Sequence, residues 1–185
     1  MTAFEQCIAD GGVVVFPADT VYGLACDPED EKAVARLYAL KGRPPDKPAA
    51  VMFFAVDALP ELGPRTRALA ERLLPGAVTL LVPSGRFPLA GWAGTLGLRV
   101  PDLPAFADVR VPVLQTSANL AGGPDARRLE DVPEVIRRGA DLVIDGGEVA
   151  GTPSTVVDLR DYEAAGAWRI LRQGAVPEAV IRSSA

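Results

Sequence analysis

The 185-residue chain is 49% apolar, carries a formal net charge of −5 and contains no histidine. That length and apolar share suit one compact domain burying roughly 70% of its unfolded surface, while the acidity argues against a protein whose whole surface attracts a nucleic-acid backbone. Without imidazole, a Ser-His-Asp triad, a Cys-His pair, His-ligated zinc and an imidazole general base are all excluded, which leaves carboxylates, lysines, arginines, hydroxyls, the backbone or a metal-bound water.

Thr2 and Glu5 have capping-box spacing and predict a short first helix ending at Gly11 and Gly12. Residues 13–16 read as a short buried strand. Asp27 and Pro28 read as the N-cap and first turn of a helix whose Ala33, Val34, Leu37 and Tyr38 share one face, to about Leu40. Strands are predicted at 49–55, 77–82, 96–100, 111–116, 142–144, 155–159 and 168–171, with a helix at 64–74 stopped by Pro75 and Gly76 and a short terminal helix within 177–185. Helices alternate with strands early, and later strands follow one another through short turns such as Asp145-Gly146-Gly147. The expected fold is therefore α/β, a twisted mixed parallel and antiparallel sheet flanked by helices. Prolines and glycines are scattered rather than gathered in a linker, so 1–185 reads as a single domain.

Cys7 and Cys26 have neither metal-ligand spacing nor a disulfide framework, which fits two small core side chains in a reducing cytoplasm. The longest apolar stretch, 49–56, falls short of the roughly 20 residues a membrane helix needs. The N-terminus has acidic residues and no basic region, so no signal peptide is expected.

Four stretches carry chemistry. Lys41, Arg43 and Lys47 lie in LKGRPPDKP, a loop stiffened by Pro44, Pro45 and Pro48, which suits either a polyphosphate or a solvated turn. Thr116, Ser117 and Asn119 end an apolar strand before Gly122 and Gly123, as ligand contacts or as a cap. Arg99, inside LGLRVP, needs a carboxylate partner or an anionic ligand to offset its desolvation. Ser154 and Thr155 either contact ligand or start a strand, and Arg172 in ILRQG either enters a cleft or makes a surface ion pair. There is no GxxxxGK[ST] signature, so a nucleotide site here is not of the Walker A kind.

Taken in order, PADTVYGLACD, LKGRPPDKP, LLPGAVTLLVP, LGLRVP, TSAN, DGG, STVVDL and ILRQG resemble the threonylcarbamoyl-AMP synthase family, also called the YrdC/Sua5 family. The resemblance covers about Gly11 to Gly174 and implies a YrdC-like (YrdC/RibB-type) fold. It implies a nucleotidyltransferase that joins L-threonine, bicarbonate and ATP, with Mg²⁺ accompanying the ATP and no protein metal site or prosthetic group. The product, threonylcarbamoyl-AMP, serves the N6-threonylcarbamoyl modification of adenosine 37 in tRNA. By position, Lys41 and Arg43 are implied as catalytic. Arg43, Lys47, Thr95, Ser117, Asn119, Asp125 and Arg172 are placed around ATP, and Thr20, Met52, Arg99, Gln115 and Ser154 around L-threonine. Two positions depart from the family pattern: Ala18 replaces a hydroxyl residue and Met52 a frequent histidine. The chain ends soon after ILRQG, so a short YrdC-type form without the C-terminal Sua5-type domain is expected, passing its product to a separate transferase. Direct tRNA contact is disfavoured by the charge. The alternatives are an RNA-binding or ribosome-maturation module on the same fold, and a carbamoyl-adenylate-forming enzyme.

Overall fold

A computed structural model describes residues 1–90 and 94–185. In chain order the elements are α1 (Ala3–Ala9), β1 (Val14–Pro17), β2 (Tyr22–Cys26), α2 (Glu31–Lys41), β3 (Ala50–Met52), α3 (Pro64–Leu73), β4 (Val78–Pro83), β5 (Thr95–Arg99) and β6 (Val113–Ser117), then α4 (Glu134–Gly139), β7 (Leu142–Val143), β8 (Thr155–Asp158), α5 (Tyr162–Ala165), β9 (Arg169–Arg172) and α6 (Glu178–Ser184). Among the described residues the strands form one sheet in the order β7-β1-β2-β6-β3-β5-β4-β8-β9. β1/β7, β3/β5 and β4/β8 pair in parallel, and the other neighbours are antiparallel. The mixed sheet is as expected.

Strand alternation sorts the sheet into two unlike faces. Val13, Val15, Tyr22, Leu24, Val51, Leu80, Leu96, Leu98, Leu114 and Val157 point to one side, into a continuous core with the apolar stripes of α2, α3, α4, α5 and α6. On the other side, Val14, Phe16, Ala25, Met52 and Val113 meet Phe4 and Ile8 of α1 together with Phe106 and Val109. The Phe4 ring packs edge-on against Phe16 and Phe106, with centroids 5.4 and 5.3 Å apart. This smaller cluster covers only one half of that face. The rest of it is bare of helix, and there the strands display Thr79, Leu81, Gly97, Arg99, Gln115 and Ser117.

Local chemistry explains most of the element ends. The Thr2 hydroxyl accepts from the Glu5 N–H at 3.1 Å and the Glu5 carboxylate accepts from the Thr2 N–H at 2.9 Å, closing the expected capping box. For α2 the N-cap is Asp30, which accepts from Lys32 N and Ala33 N at 2.8 and 3.1 Å, and not the expected Asp27. Asp27 instead closes the preceding turn by accepting from Glu29 N at 2.8 Å. β2 was not anticipated from sequence, although it pairs with both β1 and β6. Its Gly23 weakens a strand signal but is required, because a Cβ there would lie 2.9 Å from the Gln115 side chain and 3.0 Å from the Phe16 ring. The strand expected over 49–55 is confined to Ala50–Met52, after which Phe53 N still donates to Arg99 O at 2.8 Å before the chain turns away. Among the described residues no helix is long and apolar enough to cross a membrane.

Candidate active site

The bare half of the sheet is the floor of an open cleft of about 210 Å³. Register places Ala50 of β3 between Gln115 of β6 and Gly97 of β5, and Gly97 in turn beside Leu81 of β4. The low centre of the floor follows from two small residues side by side: a Cβ on Gly97 would already lie 3.3 Å from Leu81 Cδ2 and 3.7 Å from the Ala50 Cβ. Around it stand Thr20 and Val21 from the β1–β2 connection, Arg43 and Pro48 from the loop after α2, Asp125, Pro153 and Ser154 just before β8, and Arg172 at the end of β9.

Arg99 rises from the floor and is 4% exposed. Its Nη2 donates to Asp19 Oδ1 at 2.6 Å and, at 3.4 Å, to the Thr20 hydroxyl; Nη1 donates to Gln115 Oε1 at 3.4 Å. Of the two readings of Arg99 left open by sequence, the carboxylate partner is the one observed, and the side chain also lines the cleft. The pair is incompletely satisfied: Asp19 Oδ2 and Arg99 Nε are buried without hydrogen-bond partners. Burial pushes the Asp19 carboxyl above the usual range, opposed by the Arg99 guanidinium. Burial likewise lowers Arg99, countered by Asp19 and reinforced by the like charge of Arg172.

At the rim, Arg172 donates to the Ser154 carbonyl at 2.9 Å, and the Ser154 hydroxyl shares a hydrogen at 2.8 Å with Thr79. Arg43 lies over the Tyr38 ring, 5.6 Å from its centroid, and donates to Pro48 O at 2.5 Å. Tyr38 in turn donates its hydroxyl hydrogen to Lys47 O at 2.8 Å, so the proline loop is fastened to α2 at both of its ends. Three guanidinium groups thus line a cleft whose lining holds one carboxylate, Asp125. The lining is therefore locally positive in a molecule of net charge −5.

The structure brings Thr20, Arg43, Arg99, Gln115, Ser117, Asp125, Ser154 and Arg172 together in the cleft. It does not bring Lys41, Lys47, Thr95, Asn119 or Met52 into the lining. Lys41 is 2% exposed, and its ammonium donates to the carbonyls of Ser117 and Asn119 and to Asn119 Oδ1. Its hydrogens are committed inside the protein, which does not suit the catalytic role implied for it. Asn119 is used the same way: its side-chain oxygen accepts from Ser117 Oγ at 2.5 Å and its Nδ2 donates to Gly123 O at 2.6 Å. Lys47 is exposed. Thr95 is buried at the start of β5, opposite Pro83. Met52 shares the cleft's sheet face but is fully buried in the cluster with Phe4 and Phe16, as is Ala18.

Sequence reading missed three contributors. Asp19 lay within the DTVYG motif but was not paired with Arg99, because they are 80 residues apart. Thr79 is the one polar side chain in VTLLV, and that interruption was a legible signal. Gly97 interrupts an apolar strand for the same reason, since both face the cleft.

A family model named for Sua5, YciO and YrdC, and described as telomere recombination, matches residues 6–174. The chain belongs to that family. It is similar to the threonylcarbamoyl-AMP synthase of Stutzerimonas stutzeri (strain A1501), 38% identical over 173 residues that cover 85% of this chain and 91% of the relative. It is also similar to the threonylcarbamoyl-AMP synthase of Pyrococcus abyssi (strain GE5 / Orsay), 32% identical over 182 residues, covering 92% of this chain and 52% of the relative. The crystal structure of P. abyssi Sua5 complexed with L-threonine superposes with a TM-score of 0.85 at 30% identity, over 97% of this chain and 55% of that one. The chain therefore spans about half the length of the P. abyssi family member and nearly all of the S. stutzeri one.

Proposed function

We propose that the cleft joins L-threonine, bicarbonate and ATP to give threonylcarbamoyl-AMP and pyrophosphate. The observation that carries this reading is the set of three guanidiniums at two depths, with Arg99 buried in the floor and Arg43 and Arg172 at the rim. The similarity to synthases of that name, and to a protein solved with L-threonine, supports it.

In this reading Arg99, oriented by Asp19, receives the carboxylate of L-threonine, with Thr20 and Ser154 beside it. The amine of L-threonine combines with bicarbonate to give a carbamate and water, and a carbamate oxygen attacks the α-phosphorus as pyrophosphate leaves. Both reactants are anionic, so the chief task of the protein is to reduce repulsion and hold the two in line. Arg43 and Arg172 supply positive charge to the phosphates, while Ser117, whose hydroxyl donates to Asn119 Oδ1, shapes the lining beside them. No step needs imidazole.

Mg²⁺ is proposed as the companion of ATP. Among the described residues no group of three or more acidic, Cys or His side chains could hold a metal alone. Asp125 in the lining, with the phosphates and water, fits the way this ion is usually held, and it would supply further charge neutralisation. A separate transferase that moves the threonylcarbamoyl group to tRNA is proposed as the partner.

Pyrophosphate release by purified protein with MgATP tests the reading. Release is expected only when L-threonine and bicarbonate are both present, with L-serine a poorer substitute. Release without an amino acid, or none under any condition, would overturn it.

A further inference from the structure

Lys41 is in the wrong place for the role its motif suggests, and its surroundings account for it more fully than contact with a nucleotide would. It ends α2, and its backbone carbonyl accepts from Ala121 N at 2.9 Å while its ammonium reaches Ser117 O, Asn119 O and Asn119 Oδ1. Asn119 passes the constraint on, accepting from Ser117 Oγ and donating to Gly123 O. Three ammonium hydrogens meet three oxygens, and every one of those oxygens belongs to the turn that brings Ser117 to the cleft. An ammonium matched in this way has no donor left to reach a phosphate.

We propose that Lys41 is a positioning residue: its charged ammonium latches the 117–119 turn and so fixes where Ser117 stands in the cleft lining. The charged groups that act on it are Arg43, which lines the cleft, and Asp125, which opposes Arg43. Burial first, and then Arg43, bring Lys41 down to about 8, so the latch is partly open in mildly alkaline solution. A neutral amine has two hydrogens for three oxygens, and one contact of the turn is lost. The effect of the latch on nucleotide affinity rests on the nucleotide reading above; the latch itself does not.

The test uses the whole chain. In the protein without nucleotide, the amide resonances of Asn119 and Gly123 are expected to titrate together with a midpoint near 8, and Lys41→Met is expected to abolish that titration. MgATP affinity is read by calorimetry at neutral pH in the unaltered chain and in Lys41→Met. Lys41→Met should bind roughly tenfold more weakly at neutral pH, the effect of losing a charged hydrogen bond. Combined with Asn119→Ala, it should cost little more than either change alone, because both act through one turn. If the Met variant fails to fold, the resonance titration of the unaltered chain still decides. No inflection in these amides overturns the proposal, as does equal MgATP affinity in Lys41→Met. No binding of MgATP by the unaltered chain overturns the nucleotide reading, and the resonance titration then upholds or sinks the latch separately.

Discussion

Cleft and core use the same strands, so neighbouring residues respond very differently to change. Gly97→Val adds bulk to the lowest point of the floor without straining the backbone. It is expected to reduce L-threonine-dependent pyrophosphate release by an order of magnitude or more while leaving the melting temperature within a few degrees, about the shift given by 1 kcal/mol. Met52→Ala should do the reverse. It removes a fully buried side chain outside the cleft and is expected to cost about 2–5 kcal/mol in urea unfolding, with the KM for L-threonine little changed. An equal rise in KM would return Met52 to the substrate site. The need of Arg99 for a counter-charge was legible because a guanidinium in an apolar strand has few explanations. Asp19 was not, because its role exists only where distant segments meet. Reactivity follows burial as well: burial pushes the Cys26 thiol up to about 12, so a thiol reagent at neutral pH should label Cys7 at most until the chain unfolds.

Among the elements, helices with a cap or a proline boundary were the easiest to read. The capping box of α1 and the proline that opens α3 acted within four residues, where neighbouring chemistry decides conformation. At α2 two acidic residues competed. Asp30→Ala is expected to lower stability by about 1 kcal/mol and Asp27→Ala by less, as measured by urea midpoints. The reverse order would restore Asp27 as the cap. β2 stayed hidden because its glycine answers to Phe16 and Gln115 on neighbouring strands. α4 and α5, six and four residues long, are too short to display a helical period.

For the whole molecule, the absence of histidine has a direct thermodynamic consequence: no side chain of ordinary pKa titrates between about pH 5 and 8, and urea stability should be nearly flat there. On the acid side, hydrogen bonds from Arg160 hold Asp158 well below the carboxylate range, and those from Arg36 lower Asp141. Stability from these groups is complete above their unfolded values near 4 and is lost as pH falls below them. Asp19, raised by burial, has the opposite sign and partly offsets that loss. On the alkaline side Lys41 lies below its ordinary 10.5, so the folded form holds fewer protons there and global stability should rise from pH 8 toward 10.5 even as the 117–119 turn loosens. A urea midpoint that falls over that interval would contradict the sign.

Composition, the missing histidine and the ordered motifs were enough to establish the family and a mixed α/β sheet, because those features depend on residue identity and on periodicity within a few residues. The assignment of each motif residue to cleft or scaffold was decided only by tertiary structure. Lys41 and Arg43 are two residues apart and Met52 and Ala50 likewise, yet one of each pair lines the cleft and the other is buried. Strand register, the reach of α1 over half a sheet face, and the pairing of Asp19 with Arg99 across 80 residues determine that division, and none of them is written in local sequence.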